Sequence, residues 1–254
     1  MSVIVTTTTF YTDPMGKDRV RFDLARELTQ RSVAEGYSIV IVDASPERTV
    51  AERLASDGAL VFAQLEKGMG AGRRQVWRHA NVLIRPDTQG SLWTEPEKPD
   101  IVRFIPAMIS RMKEKKAKVI IPTRSTASWE TYPGFQRASE QIANRVYNNL
   151  FQPEQLLDPM HGPVLFTLDA LPAFIDFNPA AYGLPDTYVQ HYVPPWYMRR
   201  EGWKIAALEV DFVYPPQQKA EEETTQLGLM MEKRLDQLGK LVDAYFTIAR
   251  ETSR

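Results

Sequence analysis

Over its first 125 residues the chain alternates short β-branched runs with amphipathic stretches, and this alternation restricts its fold more than any other feature. Val3 to Thr8 reads as a strand. A helix follows from about Lys17 to Ala34, with Leu24, Leu28 and Val33 on one side and Gly36 just past its end. Tyr37 to Val42 reads as a buried strand, Pro46 to Ser56 as a helix closed by Asp57-Gly58, and Ala59 to Gln64 as a third strand. A glycine-rich turn then leads into a helix from about Ala71 to Arg85, stopped by Pro86. A turn at Asp87 to Gly90 precedes a fourth strand, Ser91 to Thr94; a helix from about Asp100 to Lys116 precedes a fifth, Lys118 to Pro122. Strands separated by helices predict a mostly parallel sheet with helices on both faces. Such sheets bind ligands beyond the carboxyl ends of their strands. Thr8, Asp43, Glu66, Glu95 and Thr123 all fall at or just after a predicted strand end.

Beyond this region the pattern is less regular. A helix from about Gly134 to Phe151 leads to a turn at Asp158-Pro159-Met160-His161-Gly162, and a polar break at Tyr214 to Gln217 precedes a last helix ending near Thr252. That helix carries Leu227, Met231, Leu235, Leu238, Val242, Tyr245 and Ile248 at three- and four-residue spacing. The stripe suits a helix packing on its own domain, or the seam of a homodimer. With 254 residues, 43% of them hydrophobic, the chain can bury one continuous core. The expected organisation is one large domain over 1–216, with halves 1–125 and 126–216, and a C-terminal helix over 217–254.

The absence of cysteine excludes disulfides, thiol catalysis and cysteine-ligated metals, and suits a cytoplasmic protein. The net charge of −1 provides no field to recruit nucleic acid. No run approaches the ~18 apolar residues a membrane span needs, and Met1 to Thr6 does not read as a signal peptide. Contact with a membrane surface stays open.

Two clusters carry the chemistry. Glu66-Lys67-Gly68-Met69-Gly70-Ala71-Gly72-Arg73-Arg74-Gln75 places three glycines before a helix whose expected first turn holds two arginines. A helix start already favours anions, and arginines there repel one another and the dipole unless an anion is bound. Phosphate contact is therefore the functional reading, and a turn needing positive φ is the plain one. The turn follows the third strand and not the first, which argues against a dinucleotide site. The second cluster is Thr94-Glu95-Pro96-Glu97-Lys98. Glu95 and Glu97 are hard oxygen ligands suited to Mg²⁺ or Mn²⁺, or else a solvated turn with Glu97 beside Lys98; Asp87 is the runner-up ligand.

The order of these motifs resembles the family 2-like glycosyltransferases of the GT-A fold, over about residues 3 to 215. Ile41-Val42-Asp43-Ala44-Ser45 is similar to that family's second-strand ending, Gly70 to Gln75 with His79-Ala80 to its glycine-rich helix start, and Thr94-Glu95-Pro96-Glu97 stands in the place of its Asp-x-Asp motif. Later segments resemble the polyprenyl-phosphate sugar transferase branch: Ile121 to Ser125, Ser139 to Arg145, Asp158 to Pro163, Arg199 to Ile205 and Glu209 to Phe212.

The resemblance implies an α/β, Rossmann-like GT-A fold: a mixed, mainly parallel sheet flanked by helices, plus the C-terminal helix. It implies an inverting, metal-assisted hexosyltransferase that takes a UDP- or GDP-sugar and an unidentified acceptor. Thr8, Asp43, Glu66, Gly70, Gly72, Arg73, Arg74, Glu95 and Arg124 would bind the nucleotide sugar, Glu95 and Glu97 the Mg²⁺ or Mn²⁺ ion. An inverting enzyme needs a general base for an acceptor hydroxyl. Asp186 is the candidate, with His161 in a turn suited to an acceptor loop. A sugar nucleotidyltransferase and a catalytically silent nucleotide-binding protein are the competing readings. The first normally carries its glycines after the first strand, where this chain has Thr6-Thr7-Thr8-Thr9-Phe10.

Overall fold

A computed structural model describes residues 2–253. The chain runs β1 (Ser2–Thr9), α1 (Arg19–Ala34), β2 (Ser38–Asp43), α2 (Arg48–Ser56), β3 (Leu60–Ala63), α3 (Met69–Asn81) and β4 (Thr88–Trp93). It continues through α4 (Ile105–Lys115), β5 (Val119–Arg124), α5 (Thr126–Thr131), α6 (Gly134–Phe151), β6 (Val164–Phe166) and α7 (Leu171–Asp176). The last elements are α8 (Val189–Glu201), β7 (Ile205–Val210), α9 (Pro216–Glu223) and α10 (Leu227–Thr252). These elements form two compact units interleaved in sequence: 1–109 with 163–177, and 110–162 with 178–254.

In the first unit the strand order is β3-β2-β1-β4-β6. All neighbours are parallel except β6, which runs antiparallel to β4 and sets Ser91, Leu92 and Trp93 against Phe166, Leu165 and Val164. β1 is central and buried over most of its length, which explains its unbroken β-branched run in place of an alternating pattern. α1 buries Phe22, Ala25, Leu28, Thr29 and Ser32, a single helical stripe. It ends in a Schellman closure, with Gly36 N–H donating to Val33 O and Tyr37 N–H to Ser32 O. α3 packs on β1 and β2 and sends Trp77 into the core. There its ring lies 5.7, 6.2 and 5.4 Å from those of Trp93, Phe166 and Phe174.

The register aligns the carboxyl ends of the first three strands. Thr9 of β1 is level with Asp43 of β2, and Asp43 with Ala63 of β3. Asp43, the turn into α3 and the segment after β4 therefore leave the sheet at one edge. Asp87 precedes β4 and lies at the opposite edge, where its carbonyl accepts from Ser2 N–H. As the runner-up ligand it is thereby removed from the site.

In the second unit β5 and β7 are parallel, from Val119 opposite Ile205 to Arg124 opposite Val210. α10 packs on α6 through buried Leu241, Ala244, Tyr245 and Ile248. Tyr245 makes edge contacts with Tyr147 and Phe151. The C-terminal half of the apolar stripe thus packs at home, while Leu227, Leu229, Met231 and Leu235 nearer its start are exposed. Among the described residues no helix is long and apolar enough to cross a membrane.

Candidate functional site

At the carboxyl edge of the first unit, Asp43 is 7% exposed and tightly held. Thr9 Oγ1 donates to its Oδ1 at 2.7 Å, Ser45 Oγ at 2.6 Å and Ser45 N–H at 3.2 Å. Ser45 Oγ in turn accepts from Tyr11 N–H. All three bonds to Asp43 converge on Oδ1, and none among the described residues reaches Oδ2. One carboxylate oxygen fixes the loop and the other can accept from a ligand. Thr8, one residue before the strand end, is half-buried and pairs with Val42.

The turn after β3 is fastened by two glutamines. Gln64 Nε2 donates to the carbonyls of Glu66 and Gly68; Gln75 Oε1 accepts from Leu65 N–H, and Gln75 Nε2 donates to Ala63 O. Glu66 and Lys67 are exposed. α3 begins at Met69, two residues before the expected start, which corrects the reading of the glycines. Only Gly68 takes positive φ, +116°. Gly70 and Gly72 are helical and buried; a Cβ on Gly72 would lie 2.8 Å from Gln64 Oε1, so that glycine makes room for the turn's fastener. Arg73 and Arg74 consequently sit in the second turn. Arg73 is 6% exposed with its guanidinium 5.0 Å from the Trp93 ring, and Arg74 is half-buried. Gly68 at the N-cap has no side chain with which to cap the start of α3.

After β4, Thr94 N–H donates to Thr6 O and the chain turns through Glu95-Pro96-Glu97. The two glutamates are not a matched pair of metal ligands. Arg21 of α1 donates to Glu97 Oε1 from Nε at 2.7 Å and from Nη2 at 2.5 Å, and Lys98 Nζ lies 3.2 Å from Glu95 Oε2. Pairing with Glu97 raises the Arg21 pKa further. Burial first, and then the Glu97 carboxylate, push the Tyr11 hydroxyl well above its ordinary value. A divalent ion usually takes one or two protein carboxylates and completes its shell with water and phosphate oxygens. Here it would have to share each carboxylate with a cation already beside it, a guanidinium on Glu97 Oε1 and an ammonium near Glu95 Oε2. Among the described residues no cluster of three or more His, Asp or Glu could hold a metal. Two carboxylates each accompanied by a cation of this chain make a poorer site for the expected ion than two bare ones.

Sequence reasoning missed Arg21. It is 76 positions from Glu97, on a helix whose pattern announces only an apolar face, and no local signal links the two.

In the second unit Arg124 is the centre of a buried charge network. Its Nε and Nη2 donate to Asp158 at 2.7 and 2.8 Å, and Nη1 donates to Glu140 at 2.5 Å. Its guanidinium lies 3.5 Å from the Trp129 ring centroid. Asn144 Nδ2 donates to Asp158 at 2.6 Å. Burial alone would raise the Asp158 pKa, but Arg124 more than offsets it and brings the value down to about 2. The Arg124 side chain is 0% exposed, so ligand contact would require breaking this network. His161 is also fully buried: Nδ1 is 2.9 Å from Pro122 O and the ring edge meets Phe212. Both residues hold the Asp158–Gly162 turn. Asp186 is exposed on the segment before α8.

No family model matches the chain, and no curated protein matches its sequence. Solved structures do resemble it. Glucosyl-3-phosphoglycerate synthase from Mycobacterium tuberculosis, in complex with Mn²⁺, UDP-glucose and phosphoglyceric acid, aligns with 95% of this chain and 80% of its own at 13% identity, with a TM-score of 0.57. Another structure of the same synthase aligns with 92% of this chain and 80% of its own at 12% identity, TM-score 0.54. A third, with Mn²⁺, UDP and phosphoglyceric acid, covers 92% and 78% at 13% identity, TM-score 0.54.

Proposed function

We propose that this chain, which has the GT-A-type fold of the nucleotide-diphospho-sugar transferases, is a glycosyltransferase. Its donor would bind at the carboxyl edge of the first unit's sheet. The reading rests on one arrangement: the Asp43 carboxylate, with Oδ1 saturated and Oδ2 open, beside the uncapped start of α3. Asp43 Oδ2 accepts from the ribose or the base, the first turn of α3 and Arg74 attract the diphosphate, and Thr8, Glu66, Gly70 and Gly72 shape the walls. Arg73 and Trp93 form the floor beneath. Glycosyl transfer accumulates negative charge on the departing diphosphate, and positive groups fixed in advance stabilise it with little reorganisation. Asp186 is the base we assign to an acceptor hydroxyl, with inversion at the anomeric carbon. Arg124 and His161 are positioning residues that hold the 158–162 turn. The bound UDP-glucose of the synthase neighbours supports the donor class; this chain's acceptor is left unassigned.

The test is calorimetric titration with UDP-glucose and a GDP-sugar. One of them is expected to bind, and Asp43→Asn should weaken it about tenfold or more, the scale of a hydrogen bond to a charged group. If neither binds, the reading fails. If a donor binds but no acceptor screened yields a transfer or hydrolysis product, the silent nucleotide-binding protein is the better description.

A further inference from the structure

The Glu-Pro-Glu turn offers two carboxylates just after β4, yet each already has a cation of this chain beside it. Arg21 places Nε and Nη2 on Glu97 Oε1, and its Nη1 lies 3.8 Å from Asp18 Oδ1. Tyr11 locks the helix that carries it, donating from its hydroxyl to Arg21 O at 3.3 Å, while the Arg21 guanidinium lies 5.6 Å from the Tyr11 ring centroid. Lys98 meets Glu95. Two carboxylates with two unit cations carry the same net charge as two carboxylates with one divalent ion. The Arg21 side chain is 36% exposed and that of Glu97 only 11%, so more of the arginine than of the glutamate reaches solvent.

We propose that Arg21, steadied by Glu97 and seconded by Lys98, takes the place of the divalent ion, and that this chain binds its nucleoside diphosphate without metal. The inference rests on the donor-site reading above and deepens it. In metal-assisted sites the carboxylates face the ion and the ion faces the phosphates. Here the carboxylate fixes a guanidinium, whose planar fork suits phosphate oxygens and whose charge persists at any working pH. Glu97 then serves to hold Arg21, and Asp18 keeps the third nitrogen from swinging away. Asp18 is itself fixed by accepting from the N–H groups of Thr12 and Asp13.

The experiment is calorimetric titration of the full chain with UDP and with GDP, once in excess EDTA and once in excess Mn²⁺. The wild-type affinity is expected to agree within about threefold between the two conditions. Arg21→Ala should lose about tenfold or more in EDTA, and Arg21→Lys should recover part of it. Removing Arg21 uncovers a buried carboxylate and could unfold the chain, so Glu97→Gln and the double variant Arg21→Met/Glu97→Gln accompany it. Glu97→Gln loosens the hold on Arg21 and should weaken binding in EDTA, though less than Arg21→Ala does; the double variant should fall about tenfold or more below the wild type. A metal-ligand role for Glu97 requires the reverse: Mn²⁺ tightening the wild type more than tenfold, and Glu97→Gln abolishing that gain. That pattern overturns the metal-free site and leaves the donor reading standing. Absence of UDP and GDP binding in both conditions overturns both.

Discussion

Asp158 concentrates more of the second unit's polar interactions than any other side chain described above. It accepts from Arg124, Asn144 and the N–H of His161 while fully buried. Removing one partner of such a network strands the others, so Asp158→Asn is expected to cost about 3–5 kcal/mol in urea unfolding. The pH dependence follows from its depressed pKa. A carboxyl lower in the folded than in the unfolded state contributes stability that is fully present above the unfolded value near 4 and lost as pH falls through the folded value near 2. The wild-type urea midpoint should therefore drop between about pH 4 and pH 2, and Asp158→Asn should flatten that drop. Gly68 is a second single-residue control point, with φ +116° and nothing within 4 Å of an added Cβ. Gly68→Ala should cost about 1–3 kcal/mol through backbone strain alone, and nucleotide affinity should fall with it as the start of α3 shifts. At this scale the sequence was only partly legible. The position of Asp43 at the end of a strand could be read. The Arg21–Glu97 pair could not, because pairing across 76 residues leaves no periodic or motif-like trace.

At the scale of elements, strands β1 to β5 and the helices between them were legible because short β-branched or apolar runs alternate with helical periodicity, even where, as in β3, the strand buries no residue fully. The start of α3 was misplaced by two residues. Glycine suggests a turn, but Gly70 and Gly72 are both helical, and at 72 a larger side chain would press on Gln64. The three-residue β6 is too short to carry a pattern; it is a strand because β4 offers it a hydrogen-bonding edge. For α10 the stripe was legible but its use was not, since one pattern serves packing at home or against a second copy. Tyr245 answers for the C-terminal half, fully buried against Tyr147 and Phe151. Tyr245→Ala should cost about 3–5 kcal/mol by thermal or urea melting, whereas Leu229→Ala, 63% exposed, should change stability by less than about 0.5 kcal/mol.

At the scale of the whole molecule, the interleaving of the units decides which fragments can stand alone. Residues 1–109 lack β6 and α7, so β4 loses its antiparallel neighbour and Trp77 loses the rings of Phe166 and Phe174. That fragment should be aggregation-prone with no cooperative melt, and joining 163–177 to it by a flexible linker should restore one, as read by circular dichroism. The same interleaving acts during synthesis. A ribosome adding about 5–20 residues per second keeps the first unit incomplete for several seconds after β4 has emerged. Through that interval Ser91, Leu92 and Trp93 present an open strand edge to any neighbouring nascent chain. The yield of this protein should therefore respond to translation speed over codons 110–177 and to trigger-type chaperones more than to its final stability.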